Sequence, residues 1–598
     1  MRNGGPASTF FAGREAELAR LEEALRSAPI AIVSGLPGVG KTAVAARLAA
    51  RIEENRKLPL LWVQATEEGD LLEKIDAALR ARGIEELSPY MARGELSHQE
   101  RWMTLCAILR RCPSLLAIDD VHALGLQEAA ELLRLLAVHL GPSRAIATTR
   151  VRLQTGLVEG VQSIELVLEG LPGAEAAAML SELLGGAPSS GPQLLRLAEA
   201  LGGHPLSLRL AASALAEEGM TPLELLEQTS PRREELGREM LERVHTSLSL
   251  AERRLLSALS VFREPAAPEA VSALVGPEVL ELAGRLEDRF VAGRRANGRL
   301  DLHPLIREHA LARLPETERD RLRLDLSRWY EAQAAEAEDL EALVEAQHHA
   351  AAAGEDGRAY QLLLRVLDRL LLRGRYRELG PMLDRALATI YEPDVRLALA
   401  KARLLRNQGR PAEARHLLAE MTAREDPRER AMVLAEQALL EQDAGRYEKA
   451  LKLYYQALES ARADDDLGQS AKLLARIATI CKDRGEYARA VKMYEQAADL
   501  ERKHGTVDGV AFTLHNLAKI HYFQGDHEKA MAAHMEALEM WEGAGDRLSA
   551  LLARNGVANI LRDRGLVQQA EETYEKNLAE YRALANPFGE SYTLANLA

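Results

Sequence analysis

A glycine-rich loop near the start of the chain constrains the fold more than any other segment. Gly35, Gly40, Lys41 and Thr42 fit the pattern Gly-x-x-x-x-Gly-Lys-Thr, directly after the apolar run PIAIV. Glycines let successive backbone N–H groups turn toward an anion, and the following helix directs its positive end at the same place. The segment therefore predicts a buried strand, a phosphate-binding loop and a helix, in that order.

This loop supplies most of the expected nucleotide contacts. Lys41 adds a mobile positive charge for the phosphates, and the hydroxyl of Thr42 is suited to hold Mg²⁺. The expected phosphate-binding residues are Gly35, Pro37, Gly38, Val39, Gly40, Lys41, Thr42 and Ala43.

A second apolar run, LLAIDD, ends in Asp119 and Asp120. A strand of this kind places both acids at the carboxyl edge of a parallel sheet, where ligands bind. We expect Asp119 to order Mg²⁺ and Asp120 to polarise the water that attacks the γ-phosphate. The alternative is that the acids cap the segment after Val121. The next strand ends at Arg150, which is either close to the phosphates or a surface arginine.

Length and periodicity predict several domains in the 598 residues. Apolar runs alternate with amphipathic helices up to about residue 168, which indicates an α/β domain with a mainly parallel sheet. Helical periodicity then continues nearly to the end, except that FVAGRRANGRLDLHPLI predicts two short strands around a turn and hence a winged helix. The predicted domains are a P-loop nucleotide-binding domain (1–168), a helical domain (169–235), a winged helix (236–316), a helical linker with degenerate repeats (317–392) and a repeat array (393–598).

The composition and charge of the chain indicate where the protein acts and what it binds. The chain has no apolar run of the roughly 18 residues that a membrane helix needs, and its N-terminus lacks the apolar region of a signal peptide. Three cysteines predict neither a disulfide framework nor a metal site, which favours a cytoplasmic protein. The net charge is −14, and the segment 231–316 balances 14 arginines against 14 acids, so we expect no direct binding to DNA.

The last third of the chain repeats every 40 residues. Glycines recur at this period in predicted turns, and alanines recur where paired helices should approach closely. The recurring positions are Gly445, Gly485, Gly525 and Gly565, then Ala450, Ala490, Ala530 and Ala570, then Ala438, Ala478, Ala518 and Ala558. The units resemble the tetratricopeptide repeat in its longer form and predict an α-solenoid. The last unit stops within its first helix, and we expect the natural array to extend further.

The inner helices of these repeats carry polar residues at matching positions. Arg476 and Asn516 are equivalent, and His515 and Asn555 are equivalent. They suit recognition of a protein, peptide or small-molecule trigger, although polar groups on inner helices are equally often only solvated.

Seven motifs together resemble the NB-ARC branch of the STAND ATPases. They are FAGREAEL, GLPGVGKT, LLAIDD, ATTR, LEGLPGAEAAAML, GGHPLSL and LHPLIREHA, and they occur in the family's order over about residues 10–315. The relatives of that family include plant resistance proteins and bacterial regulators with tetratricopeptide arrays. The resemblance therefore implies binding of ATP or ADP with Mg²⁺.

The resemblance also implies particular site residues. Gly13 and Arg14 would lie beside the adenine, and Arg150 would be the sensor arginine. Pro205 would pack on the adenine or ribose, and His303 would touch the β-phosphate of ADP in a closed form. Their alternatives are a helix-starting proline and a buried histidine that bonds to backbone. Leu302 and Pro304 flank this histidine where the plant proteins have Met and Asp, and His204 replaces a usually apolar residue without an expected effect.

These features favour a nucleotide-dependent switch. ADP would hold several domains closed, the repeats would sense a trigger, and exchange for ATP would open the protein and permit self-association, with slow hydrolysis as the reset. The alternatives are an AAA-like remodelling ATPase, for which no pore loop is evident, and a repeat scaffold with a structural nucleotide. The catalytic residues of the leading hypothesis are Lys41, Asp119, Asp120 and Arg150.

Overall fold

The computed structural model describes most of the chain in two compact units, Met1–Glu378 and Leu379–Ala598. The described residues are 11, 13–66, 70–91, 98–151, 163–186, 191–228, 233–295, 297–337, 339–373, 375–421, 425–504, 507–584 and 586–597. Within them, no helix combines the length and the apolar character needed to cross a membrane.

The first unit begins with a parallel sheet. Its strands among the described residues are β1 (Ile30–Gly35), β2 (Leu60–Gln64), β3 (Leu115–Asp119), β4 (Arg144–Thr149) and β5 (Ser163–Leu168), in the order β2-β3-β4-β1-β5. All neighbouring strands are parallel, as the run of apolar segments predicts. Strands β1 and β3 are almost wholly buried, because helices cover a parallel sheet on both faces.

Among the residues that the structure describes, six α-helices connect and cover these strands. They are α1 (Glu15–Ser27), α2 (Lys41–Arg56), α3 (Leu71–Arg80), α4 (Ser88–Met91), α5 (His98–Arg111) and α6 (Leu126–His139). Each parallel connection must return to the start of the next strand, so the carboxyl ends of β1 and β3 meet at one edge of the sheet. The glycine-rich loop and the paired acids both lie at this edge.

In its described residues, the rest of the first unit is helical apart from one short ribbon. The next helices are α7 (Gly173–Leu183), α8 (Gly191–Ala200), α9 (Pro205–Glu218), α10 (Pro222–Glu227), α11 (Arg233–Ser247), α12 (Leu250–Ser260), α13 (Pro268–Val275) and α14 (Val279–Asp288). Strands β6 (Gly293–Arg294) and β7 (Leu300–Asp301) then form an antiparallel pair, as the sequence predicts. Helices α15 (Pro304–Arg313), α16 (Glu316–Ala337), α17 (Leu340–Ala352) and α18 (Asp356–Arg373) follow.

One apolar core joins the helical segments after the sheet. It runs continuously from Leu171 on the entry to α7 to Leu326 on α16 and includes Leu300 of the ribbon. The helices that carry Pro205 and His303 are therefore built on a shared support.

The second unit consists of helical hairpins. Helix α19 (Tyr376–Thr389) spans the boundary between the units, and α20 (Val395–Asn407) and α21 (Pro411–Met421) follow it. The regular repeats comprise α22 (Pro427–Asp443), α23 (Tyr447–Ala463), α24 (Leu467–Asp483), α25 (Tyr487–His504), α26 (Val507–Phe523), α27 (His527–Gly543), α28 (Arg547–Asp563), α29 (Val567–Ala583) and α30 (Pro587–Leu597).

The repeated glycines and alanines have the roles that their period predicts. Gly445, Gly485, Gly525 and Gly565 all adopt positive φ, between 72° and 78°, directly before the second helix of a hairpin. This left-handed conformation ends a helix at little cost only for glycine. The equivalent alanines such as Ala478 and Ala490 are fully buried, so the paired helices pack closely.

Candidate nucleotide-binding site

The glycine-rich loop forms an open cradle before α2. Gly38 and Gly40 have φ values of 82° and 99°, and Gly40 occupies the N-cap of α2 without a side chain to cap it. The first turn, Lys41-Thr42-Ala43, contains no acid. The positive end of a 16-residue helix is therefore available to an anion, as the motif predicts.

Lys41 lies within this cradle rather than in solvent. Its side chain is buried, and Nζ donates to the carbonyl of Leu36 at 2.9 Å. Burial lowers the pKa of Lys41, and the nearby charge of Asp120 opposes that effect. An anion in the cradle would favour the charged ammonium, so the site suits a phosphate.

Asp119 is held by two hydroxyls at the end of β3. Its Oδ1 accepts from Thr42 Oγ1 at 3.0 Å and from Thr148 Oγ1 at 2.5 Å, and the residue is 2% exposed. Burial raises the pKa of Asp119 to about 6, and the charge of Asp120 adds to the rise. A buried carboxylate beside a threonine hydroxyl is a donor set that fits Mg²⁺, which would also offset this unfavourable burial.

Asp120 and Arg150 lie at the same edge of the sheet. Asp120 has φ of 55° and precedes a short 3₁₀ turn, and its N–H donates to Thr148 Oγ1 at 2.8 Å. Within the described part of the chain its carboxylate makes no capping hydrogen bond. The capping alternative is therefore not what the geometry shows. The backbone N–H of Arg150 faces His122 Nδ1 at 3.4 Å.

One cavity of about 1780 Å³ brings most of the predicted residues together. Its lining includes Arg14, Pro37, Gly38, Val39, Gly40, Lys41, Thr42, Ala43, Asp119, Asp120, Arg150, Pro205 and His303. The loop, the sheet edge, α9 and the segment before α15 are far apart in sequence, so only the fold places them around one space.

Gly35 and Gly13 have a different position from the other predicted residues. Neither is among the described residues that line the cavity. A Cβ at Gly35 would lie 2.6 Å from the carbonyl oxygen of Leu168, and one at Gly13 would lie 2.0 Å from Glu175 Oε2. At these two glycines the missing Cβ permits close packing beside the site.

Arg14 is buried at the rim of the cavity. Its guanidinium donates to the carbonyl of Glu169 and to Glu17 Oε1, the latter at 2.9 Å. The bond to Glu169 ties the segment before α1 to the segment after β5. The aliphatic part of Arg14 can therefore form a fixed wall of the cavity.

Pro205 and His204 bring the helical part of the unit onto the phosphate loop. Pro205 begins α9, and its Cγ lies 4.0 Å from where a Cβ on Gly40 would be. His204 Nε2 donates to the carbonyl of Pro37 at 2.8 Å, and a Cβ on Gly38 would lie 2.6 Å from the imidazole. No role for His204 was expected from the sequence, whereas in the structure it contacts the loop directly.

His303 completes the cavity from the segment between β7 and α15. Its Nδ1 accepts from the N–H of Leu305 at 3.3 Å and so caps α15. Burial lowers the pKa of His303 to about 3, and the charges of His204, Arg150 and Lys41 lower it further. The imidazole is therefore neutral near pH 7 and keeps Nε2 for a second partner.

Arg295 of the ribbon is a cavity residue that the sequence analysis did not predict. Its Nε donates to Asp301 Oδ2 at 2.8 Å, and its Nη2 lies 3.5 Å from Gln64 Oε1 at the end of β2. Because an arginine in a turn is ordinarily solvated, only the tertiary contact shows that Arg295 belongs to the site.

A buried ionic cluster lies at the far end of the cavity. Arg375 is 4% exposed and contacts Glu73 at 3.0 Å, Glu378 at 2.5 Å and Glu341. Burial raises the pKa of Glu73 to about 7, although the charge of Arg375 opposes this. The cluster joins α3 of the sheet domain to the helices that end the first unit.

Comparison with known proteins agrees with this architecture. A family model for the AAA ATPase domain matches residues 11–146, and a model for the tetratricopeptide repeat matches residues 429–503 and 469–543. None of the curated proteins matches the sequence. The chain therefore carries an ATPase domain and a repeat array.

The similarity in solved structures extends over the whole chain. A signal transduction ATPase with numerous domains (STAND) protein with a tetratricopeptide repeat sensor, from Pyrococcus horikoshii, shares 19% identity with a TM-score of 0.69. The match covers 99% of this chain and 86% of that one. At this identity the likeness concerns the fold alone, and it confirms the predicted order of a parallel-sheet domain, helical domains and a repeat array.

Two further solved structures match a smaller share of the chain. A Walker-type ATPase of Pyrococcus abyssi is 16% identical with a TM-score of 0.29, and the match covers 52% of this chain and 99% of that one. BtubC from P. vanneervenii is 18% identical with a TM-score of 0.31, and the match covers 42% of this chain and 93% of that one.

Proposed function

We propose that this protein is a nucleotide-dependent signalling switch of the NB-ARC type. ADP would occupy the cavity in a closed resting state, and a protein, peptide or small-molecule trigger bound by the repeats would favour its release. ATP with Mg²⁺ would then bind and permit self-association in the cytoplasm. Slow hydrolysis would return the protein to rest.

The observation that supports this proposal most strongly is that three separate segments line one cavity. They are the phosphate loop, the start of α9 with Pro205, and the segment before α15 with His303. A ligand held by all three favours the arrangement in which they are close together. Exchange of that ligand would therefore change the free-energy balance between closed and open forms. The STAND protein with the similar fold is described as a signal transduction ATPase, which supports the same class of function.

The residues at the sheet edge suit hydrolysis of ATP to ADP and phosphate. Mg²⁺ would supply charge neutralisation of the phosphates when bound by Thr42 and Asp119. Asp120 is free of a capping bond and would orient and polarise the attacking water, while Lys41 and Arg150 would stabilise negative charge on the phosphates. The neutral Nε2–H of His303 would donate to the β-phosphate of ADP in the closed form.

Nucleotide content and turnover test the proposal. We expect the purified 598-residue protein to retain ADP, to hydrolyse ATP slowly, and to increase in mass in light scattering when it binds an ATP analogue that resists hydrolysis. Rapid turnover by the isolated protein would instead indicate a remodelling ATPase. Unchanged mass and shape with every nucleotide would indicate a repeat scaffold.

A pair of variants assigns the nucleotide to the loop. Lys41→Ala removes the buried ammonium and should abolish ADP retention. Arg47→Ala is the matched control, because Arg47 lies on the same helix α2 with its side chain exposed. Normal ADP binding by Lys41→Ala would show that the site is elsewhere.

A further inference from the structure

The ribbon β6–β7 brings a positive charge to the expected metal site. Arg295 Nη2 lies 3.5 Å from Gln64 Oε1, and Gln64 pairs in register with Asp119 on the neighbouring strand. All three residues line the same cavity. A guanidinium carried by a separate part of the fold is therefore close to the carboxylate that is suited to hold the cation.

Two anchors hold this charge in place. Asp301 on the partner strand accepts from Arg295 Nε at 2.8 Å and also lies 2.5 Å from its Nη2, and the arginine side chain is only 14% exposed. Glu264 pairs with Lys74 of α3 at 2.7 Å, just before the bridge between Ala266 and the ribbon. The guanidinium consequently stays at the sheet edge for as long as the ribbon is docked there.

We propose that Arg295 is a positioning residue that makes docking of the ribbon and binding of a divalent cation at Asp119 mutually unfavourable. The inference rests on the proposed function for the presence of nucleotide and Mg²⁺. Arg295 and the cation would share the negative charge of Asp119, and their mutual repulsion is weakly screened in a buried site. The docked ribbon would therefore favour ADP without metal, and metal with ATP would favour the undocked ribbon.

In this arrangement, binding of the metal would change the position of His303. His303 follows β7 by two residues, so undocking of the ribbon moves the segment that carries it. The charge of Arg295 would thus link the metal site to the contact expected for the β-phosphate.

The affinity for a divalent metal ion measures directly how strongly Arg295 opposes cation binding. The 598-residue protein is saturated with ADP and titrated with Mn²⁺, and free Mn²⁺ is followed by electron paramagnetic resonance. Arg295→Gln should bind Mn²⁺ about three- to tenfold more tightly than wild type, because one nearby positive charge is removed. Arg295→Lys should resemble wild type, because it keeps the charge.

A neighbouring arginine provides the matched control. Arg294 lies on the same ribbon, pairs with Glu287 at 2.9 Å and is 37% exposed. Arg294→Gln should leave the affinity for Mn²⁺ unchanged. Equal affinities in the two glutamine variants would overturn the inference and leave the nucleotide switch standing. Failure of the wild-type chain to bind ADP would overturn both proposals.

Hydrogen exchange of residues 291–302 gives a readout that does not depend on turnover. In the ADP complex of wild type we expect slow exchange that Mn²⁺ accelerates. In Arg295→Gln the exchange should be fast already and insensitive to Mn²⁺. Protection of the wild-type ribbon that Mn²⁺ does not change would contradict the proposed opposition.

Discussion

Two buried histidines should make the third regular repeat sensitive to acid. His515 on α26 is 9% exposed and His534 on α27 is 2% exposed, and their rings pack edge to face with centroids 5.0 Å apart. Burial lowers the pKa of His515 to about 3, and the charge of His534 contributes. Burial likewise lowers the pKa of His534 to about 4, with a contribution from Lys519.

The sign and size of the effect follow from proton linkage. Between pH 4 and pH 6.5 the unfolded repeat binds protons that the folded repeat does not, so stability falls as the pH falls. From pH 7 to pH 5 each histidine costs about 2 kcal/mol, since one pKa unit corresponds to about 1.4 kcal/mol. For the pair the loss is up to about 4 kcal/mol, a large part of the stability of a small domain.

The other repeats indicate which substitutions remove this sensitivity. At the positions equivalent to His534 they have Tyr454, Tyr494 and Tyr574, and two repeats have alanine where the third has His515. The double variant His515→Ala and His534→Tyr should therefore keep the packing of a regular repeat and lose most of the pH dependence.

Hydrogen exchange at pH 7 and pH 5, corrected for the intrinsic rate, measures the opening free energy of α26 and α27 in the full chain. His416→Ala is the control, because His416 on α21 is 79% exposed. Wild type should lose several kcal/mol at pH 5 and the double variant much less. An identical pH dependence in wild type and the double variant would refute the reasoning.

Three further substitutions test single contacts. His204→Leu removes the hydrogen bond to the Pro37 carbonyl, which is worth about 1 kcal/mol. ADP should therefore dissociate about fivefold faster in a fluorescent-nucleotide chase. An unchanged dissociation rate would show that this contact does not help to retain ADP. Arg375→Met leaves Glu73 with an uncompensated buried carboxylate. In urea unfolding at pH 8 this variant should lower the free energy of unfolding of the first unit by about 3 kcal/mol. At pH 6 the loss should be smaller, because Glu73 is protonated there. Gly556→Ala places a Cβ 2.3 Å from the His534 ring and should lower the melting temperature, whereas Gly565→Ser in an open turn should strain only the backbone.

Local patterns in the sequence predicted the elements of the site. Alternating apolar runs predicted a mainly parallel sheet, because a strand buried on both faces must be apolar nearly throughout. The glycine-rich motif predicted a loop between a buried strand and a helix, and the structure has this loop, with left-handed backbone at Gly38 and Gly40. The 40-residue period predicted the hairpins, because each unit repeats the same close helix contact.

Single residues were harder to interpret from pattern alone. Gly35 belongs to the phosphate-loop motif, yet its missing Cβ makes room for the carbonyl of Leu168. Asp120 stands where a helix cap could be, yet its carboxylate makes no capping bond within the described residues. In both cases the motif is consistent with two roles, and the phosphate-binding role of Gly35 and the catalytic role of Asp120 stay predictions.

The sequence by itself determined which segments become strands, loops and repeated hairpins, because those choices depend on neighbours within a few residues. Only the tertiary structure decided that His204 bonds to Pro37, 167 residues away, and that Arg295 reaches Gln64, 231 residues away. Such contacts depend on how apolar cores bring distant elements together, and no local period encodes them. The cavity around the phosphate loop is consequently a property of the folded chain, although the loop itself can be recognised in the sequence.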